Sequence, residues 1–158
     1  MPETLTEFYP DGVALEKDMK SYRVDQKDCK TILFIEDDYV NYLYFKELLK
    51  NSNSIYIRTI SLSQAINILT NTGMVSLIIL SASLSENKNN SVLRQIKSKY
   101  KNIPIITIID DNIQQSDIEY LRTEGDIYIN KYTDQDHFMA VMADLLGKIE
   151  YSDKFQIR

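Results

Sequence analysis

Five short apolar runs alternate with helix-patterned stretches along most of this chain, and that alternation restricts the fold more than any other feature. The runs are Thr31–Ile35, Ile55–Ile60, Val75–Leu80, Pro104–Ile109 and Ile127–Ile129. The first and third are apolar at nearly every position, which is the pattern of strands covered on both faces, as in a parallel sheet. Strand and helix alternating through short links imply parallel strands joined by right-handed crossovers. The expected architecture is α/β, a doubly wound three-layer α/β/α sandwich.

The intervening helices can be placed from periodicity and capping. The first is expected over 39–50, with Asp38 as its N-cap. Val40, Tyr44 and Leu48 recur every four residues as its inward stripe, widened by Leu43, Phe45 and Leu49. Tyr44 is thus expected in the core, with Tyr39 and Tyr42 exposed near the start of the helix. Ser61-Leu62-Ser63-Gln64 is a capping-box pattern that opens a second helix through Leu69, and Asn71-Thr72-Gly73 ends it. Ser81 to Asn90 reads as a polar loop. A third helix is expected from Ser91 to Tyr100 with Val92, Leu93 and Ile96 inward, and a fourth from Ser116 to Arg122. The fifth runs from Asp134 to Lys148 with Phe138, Val141, Met142 and Leu145 at helical spacing. The folded domain is therefore expected over 30–148. Residues 1–29, with a turn signal at Tyr9-Pro10-Asp11-Gly12, read as an extension or linker, and 149–158 as a polar tail.

In a parallel sheet the carboxyl ends of all strands meet at one rim, where open α/β folds hold their ligands. That rim receives Glu36-Asp37-Asp38 from the first strand, Ser81 from the third, Asp110-Asp111 from the fourth and Lys131 from the fifth. Three adjacent acids repel one another and are expected at the wet edge rather than in a dry core. Carboxylates are hard oxygen ligands suited to Mg²⁺, and a lysine beside them can neutralise a phosphoryl oxygen.

Composition removes several classes of function. A net charge of -5 argues against a nucleic-acid surface, which needs clustered Lys and Arg. One cysteine, Cys29, forms neither an intramolecular disulfide nor a multi-cysteine metal site, which fits a cytoplasmic location. No apolar run reaches membrane-spanning length, and the first residues lack the pattern of a secretion signal. With 4 glycines in the chain, no glycine-rich loop follows the first strand, which disfavours nucleotide binding.

Residues 31–146 resemble the receiver domain of two-component response regulators. Ile35-Glu36-Asp37-Asp38, followed by Asn41 and Leu48-Leu49, is similar to the family's first strand and helix. Ile103-Pro104-Ile105-Ile106 is similar to its fourth strand, and Tyr128-Ile129-Asn130-Lys131 to its fifth. The resemblance implies a flavodoxin-like (βα)5 fold with a five-stranded parallel sheet of order 2-1-3-4-5. It also implies Mg²⁺ binding at Glu36 and Asp37 and a phosphate contact at Lys131. The family's phospho-acceptor aspartate falls on Ser81, and its Thr or Ser switch residue falls on Ile109. The switch aromatic matches Tyr128. The family's loop proline and glycine are replaced near Ser85 and Asn89, and Tyr132 stands where a proline usually follows the lysine.

Two of these departures bear on chemistry. An aspartate is already an anionic nucleophile near neutral pH, whereas a serine hydroxyl needs a base, and none is evident. The one histidine, His137, falls in the last helix and reads as a surface residue. Ile109 has no hydrogen bond to offer a phosphoryl oxygen. The expectation is a degenerate receiver, non-enzymatic and with no required cofactor, retaining at most weak Mg²⁺ binding. It would act by binding a histidine kinase, a phosphotransfer protein or itself, with a homodimer through the helix 4–strand 5–helix 5 face as one form. Tyr128, Tyr132, Tyr39 and Tyr42 are the candidate anchors for a partner, since exposed tyrosines serve interfaces well. Two readings stay open for Glu36 and Asp37: residual cation binding, or rim acids balanced by Lys131. The competing functions are a phosphorylatable regulator that uses Asp37 or Asp110 and a Mg²⁺-dependent phosphotransferase of another α/β family.

Overall fold

In the computed structural model the described residues are 29–50, 52–124, 126–131 and 135–145. The expected N-terminal extension (apart from Cys29), the C-terminal tail, Gly125 and Tyr132 lie outside them. Five strands form one sheet: β1 (Lys30–Ile35), β2 (Ser54–Thr59), β3 (Leu77–Ser81), β4 (Ile105–Ile109) and β5 (Ile127–Asn130). The spatial order is β2-β1-β3-β4-β5, with every neighbouring pair parallel. This is the 2-1-3-4-5 order. Four helices have defined bounds: α1 (Tyr39–Leu48), α2 (Leu62–Thr72), α3 (Ser91–Lys99) and α4 (Gln115–Thr123). A fifth, α5, occupies 135–145. The stretch after β3 is not a plain loop, because Ser85–Asn90 forms 3₁₀ turns.

Alternation along the strands divides the core in two. Leu33, Ile35, Ile78, Leu80 and Ile109 face the side covered by Ala65 and Leu69 of α2, Leu93 and Ile96 of α3 and Leu121 of α4. Ile32, Phe34, Ile79, Ile106 and Ile108 face the other side, packed by Tyr42 and Phe45 of α1 and Phe138 and Met142 of α5. Helices cover both faces, so strands β1, β3 and β4 are apolar at most positions, with Lys30 and Thr31 at the start of β1, Ser81 at the end of β3 and Thr107 within β4 as the polar ones. Among the described residues, no helix is long and apolar enough to cross a membrane.

The caps follow the sequence closely. The Asp38 side chain accepts from Val40 N at 2.9 Å and Asn41 N at 3.3 Å. Ser61 Oγ accepts from Gln64 N, but the Gln64 side chain reaches back one residue further, to Ile60 N at 2.8 Å. Gly73 ends α2 in the left-handed region at φ 62°. Asn89 also takes a positive φ, 57°, which asparagine tolerates better than other side chains.

The inward face of α1 differs from expectation. Tyr42, Phe45 and Leu49 are buried, while Val40, Leu43 and Tyr44 are exposed. The period is helical but the phase is not the one expected. Tyr42 is 2% exposed, its ring edge-on to Phe34 with centroids 5.0 Å apart. Aromatic Tyr42 and Phe45 fill the space over β1 that a Val40–Tyr44 stripe would have left to smaller contacts.

Candidate functional site

The parallel register brings the expected rim residues to one edge. Glu36 N donates to Thr59 O at 2.9 Å, Ala82 N to Ile108 O at 2.9 Å and Lys131 N to Ile109 O at 2.8 Å. These bonds carry each strand one residue past its formal end and hold the rim backbone in the ladder.

The three acids do not share one environment. Asp37 and Asp38 are exposed, as expected, but Glu36 is only 4% exposed. Its Oε2 accepts from Asp38 N at 3.0 Å, which lets a carboxyl sit where sequence alone argued against one. Burial pushes the Glu36 carboxyl above its ordinary range, and the Asp38 N–H pulls it back. The neighbouring Asp37 and Asp38 charges push it further up, and the Ser81 hydroxyl opposes them.

Because the folded value lies above the unfolded one, the stabilising contribution of Glu36 is complete below the ordinary carboxylate pKa. It is lost as pH rises through the raised folded value. At neutral pH the ionised side chain therefore works against the fold. Glu36→Gln is expected to be more stable than the natural chain at pH 7, with the difference vanishing in acid. Urea unfolding across a pH series measures it, and a less stable Glu36→Gln at pH 7 would contradict the reading.

Arg58 on β2 is a rim residue that sequence reasoning missed. Its Nε donates to Glu36 O at 3.0 Å and its Nη2 to Asp37 O at 3.2 Å. The guanidinium also lies 5.2 Å from the Tyr39 ring centroid and 5.8 Å from that of Tyr42. It thus fastens the start of the acidic turn by its carbonyls and not by its carboxylates. The signal available was the lone charge in an otherwise uncharged strand, Ser54-Ile55-Tyr56-Ile57-Arg58-Thr59.

Ser81 is buried at the carboxyl end of central β3, with its Oγ 2.9 Å from that of exposed Ser83. Ile109 is buried at the end of β4. Asp110 accepts from Asn112 N at 2.9 Å through Oδ1, closing a local turn, and Asn130 Nδ2 donates to Asp111 Oδ1 at 3.3 Å. Among the described residues, no three Asp, Glu, His or Cys side chains converge as a metal-binding group. Of the two acids that the resemblance assigns to Mg²⁺, Asp37 is exposed, whereas Glu36 is buried with its Oε2 bonded to Asp38 N.

The three described tyrosines among the proposed partner anchors, Tyr39, Tyr42 and Tyr128, separate. Tyr39 is 48% exposed, whereas Tyr42 is a core residue, which corrects the expectation that it faces solvent. Tyr128 is partly buried against the core beneath α2, α3 and α4.

No protein-family model matches this sequence, and no curated protein does either. Solved structures do. A two-component response regulator from Clostridium difficile shares 22% identity at a TM-score of 0.64, covering 76% of this chain and 98% of that one. The signal receiver domain of an HD domain-containing protein from Pseudomonas fluorescens Pf-5 shares 21% at 0.65, covering 78% and 98%. A response regulator receiver protein from Burkholderia phymatum shares 17% at 0.62, covering 75% and 95%. At these identities the likeness defines the fold, which is that of response-regulator receiver domains.

Proposed function

We propose that this chain is a signalling module of the receiver type that works without aspartyl phosphate, by binding another protein. The observation that carries the reading is Ser81, buried at the end of the central strand, where the resemblance puts the acceptor aspartate. Ile109, at the position of the switch hydroxyl, supports it further, because its side chain has no donor for a phosphoryl group. Glu36 and Asp37 remain as the acidic remnant of such a site. The partner class is a histidine kinase, a phosphotransfer protein or a second copy, and the role needs neither cofactor nor catalysis.

Incubation with acetyl phosphate and Mg²⁺, followed by intact-mass measurement, is expected to give no phosphoryl adduct. Beryllofluoride with Mg²⁺ is expected to leave the thermal unfolding midpoint unchanged. A phosphoryl group mapped to Asp37 or Asp110 would overturn the proposal in favour of a regulator that uses another rim acid.

A further inference from the structure

Helix α1 is apolar on two sides. Tyr42, Phe45 and Leu49 are buried, and on the opposite side Val40 is 72% exposed, Leu43 42% and Tyr44 40%. Leu43 and Tyr44 each lie about one helical turn from Val40, on a strip that is exposed among the described residues. The strip is charged differently at its two ends. Asp37, exposed at the start, forms no ion pair among the described residues, whereas Lys50 at the far end makes an exposed ion pair with Glu47 at 2.6 Å, a pair of the kind that is worth little and can be shared with a second acid.

We propose that this strip is the contact through which two copies of the chain associate, their α1 helices antiparallel about a two-fold axis passing between Leu43 and Tyr44. A two-fold interface requires a patch that is its own complement. Reversing a second copy along this strip sets Leu43 against Tyr44 of the other chain and Val40 along the stem of Glu47. It also places Asp37 opposite Lys50 at both ends. The two helix dipoles then oppose each other, which adds to the same alignment. A parallel copy would set acid on acid and lysine on lysine. A foreign helix of uniform charge would match one end of the strip and not the other, so the charge pattern favours a second copy.

The proposal names the partner of the binding module described above and in that sense rests on it. Its test reads mass alone, so it can fail while the phosphoryl measurement stands, and the reverse.

A helix of this length spans about 15 Å, so the contact falls short of the ~1,200 Å² of a stable interface and the dimer is a weak one. Sedimentation equilibrium of the full chain, from micromolar concentration upward, is expected to show mass rising from one copy towards two and stopping there. Leu43→Glu, which sets carboxylates against each other near the axis, is expected to abolish the rise. Asp37→Lys and Lys50→Glu are each expected to weaken association about tenfold, since every reversal acts at both ends, and the two together to restore most of it. Circular dichroism confirms that each variant is folded. A single-copy mass throughout overturns the proposal, whether or not the chain then captures a helical phosphotransfer protein. So does a dimer that survives Leu43→Glu, or a double charge exchange that binds no better than either single change.

Discussion

Ser81→Asp is expected to destabilise the fold by about 3–5 kcal/mol at neutral pH, the scale for a buried charge left without a partner. The new carboxylate would sit in a position that is 4% exposed, close to the Glu36 carboxyl that burial already holds towards its neutral form. Two carboxyls at one site do not both ionise without a cation between them. The loss should therefore shrink as pH falls into the carboxylate range, where the site takes up protons. Ser81→Ala removes the bond to the exposed Ser83 and the hydroxyl that favours the ionised Glu36 carboxyl, and is expected to cost about 1 kcal/mol, far less than the aspartate. Urea midpoints at unchanged slope measure both. Millimolar Mg²⁺ is expected to leave the natural chain unmoved and to return part of the Ser81→Asp loss, because a third carboxylate completes an oxygen donor set. If Ser81→Asp proves as stable as the natural chain, the pocket already suits an acidic residue. The serine would then say little about how the module works.

Tyr42→Ala carries the other large effect, about 3–5 kcal/mol, the usual range for emptying a buried aromatic site. It removes the ring that stands edge-on to Phe34 and lies beneath both Arg58 and Lys46, the latter 5.7 Å from its centroid. For a domain whose whole stability is on the order of 5–15 kcal/mol, that leaves little in reserve. Tyr44→Ala, two residues on, is expected to stay within about 0.5 kcal/mol in the monomer. Thermal unfolding of the two variants side by side gives the comparison. Equal losses would mean that the two faces of α1 share the burden of packing, contrary to the burial seen.

The contrast between Tyr42 and Tyr44 also marks what the sequence could and could not disclose. The strands were legible because β1, β3 and β4 carry short apolar runs on both faces, too short for a buried helix and rich in Ile. Asp38, Ser61 and Gly73 marked helix ends correctly because caps depend on local chemistry. The phase of α1 was not legible. Val40-Tyr44-Leu48 and Tyr42-Phe45-Leu49 are two apolar stripes on α1 and its C-cap, and periodicity does not rank them. The choice is made by ring volume over Phe34 and against Phe138, which is a tertiary matter.

The site was legible at the level of which residues reach the rim, since parallel strands send their carboxyl ends to one edge. What each residue does there was not. Glu36 differs from Asp37 by one position, yet one is buried and bonded to a backbone N–H while the other is exposed. Arg58 comes from an edge strand 21 residues beyond Asp37, and its aim depends on the twist of the sheet.

The 3₁₀ stretch Ser85–Asn90 fastens three helices at once. Glu86 Oε1 accepts from Leu62 N at 2.8 Å, at the first residue of α2. Asn87 Oδ1 accepts from Val92 N and Leu93 N, in the first turn of α3, and Asn90 Nδ2 donates to Asp117 O in α4. Six consecutive residues, set off from β3 by three others, thus bond the N–H groups at the start of α2 and α3 and a carbonyl in the first turn of α4. Opening any one of them loosens the anchor of the other two, so α2, α3 and α4 form a single cooperative unit under local unfolding. The opposite face of the sheet, where α1 and α5 meet through Phe45 and Phe138, has no share in that anchor. Among the described residues, one face of the sheet is thus tied through a single short segment, while α1, the helix proposed to meet a second copy, is held separately at its start by Arg58 and the Asp38 cap.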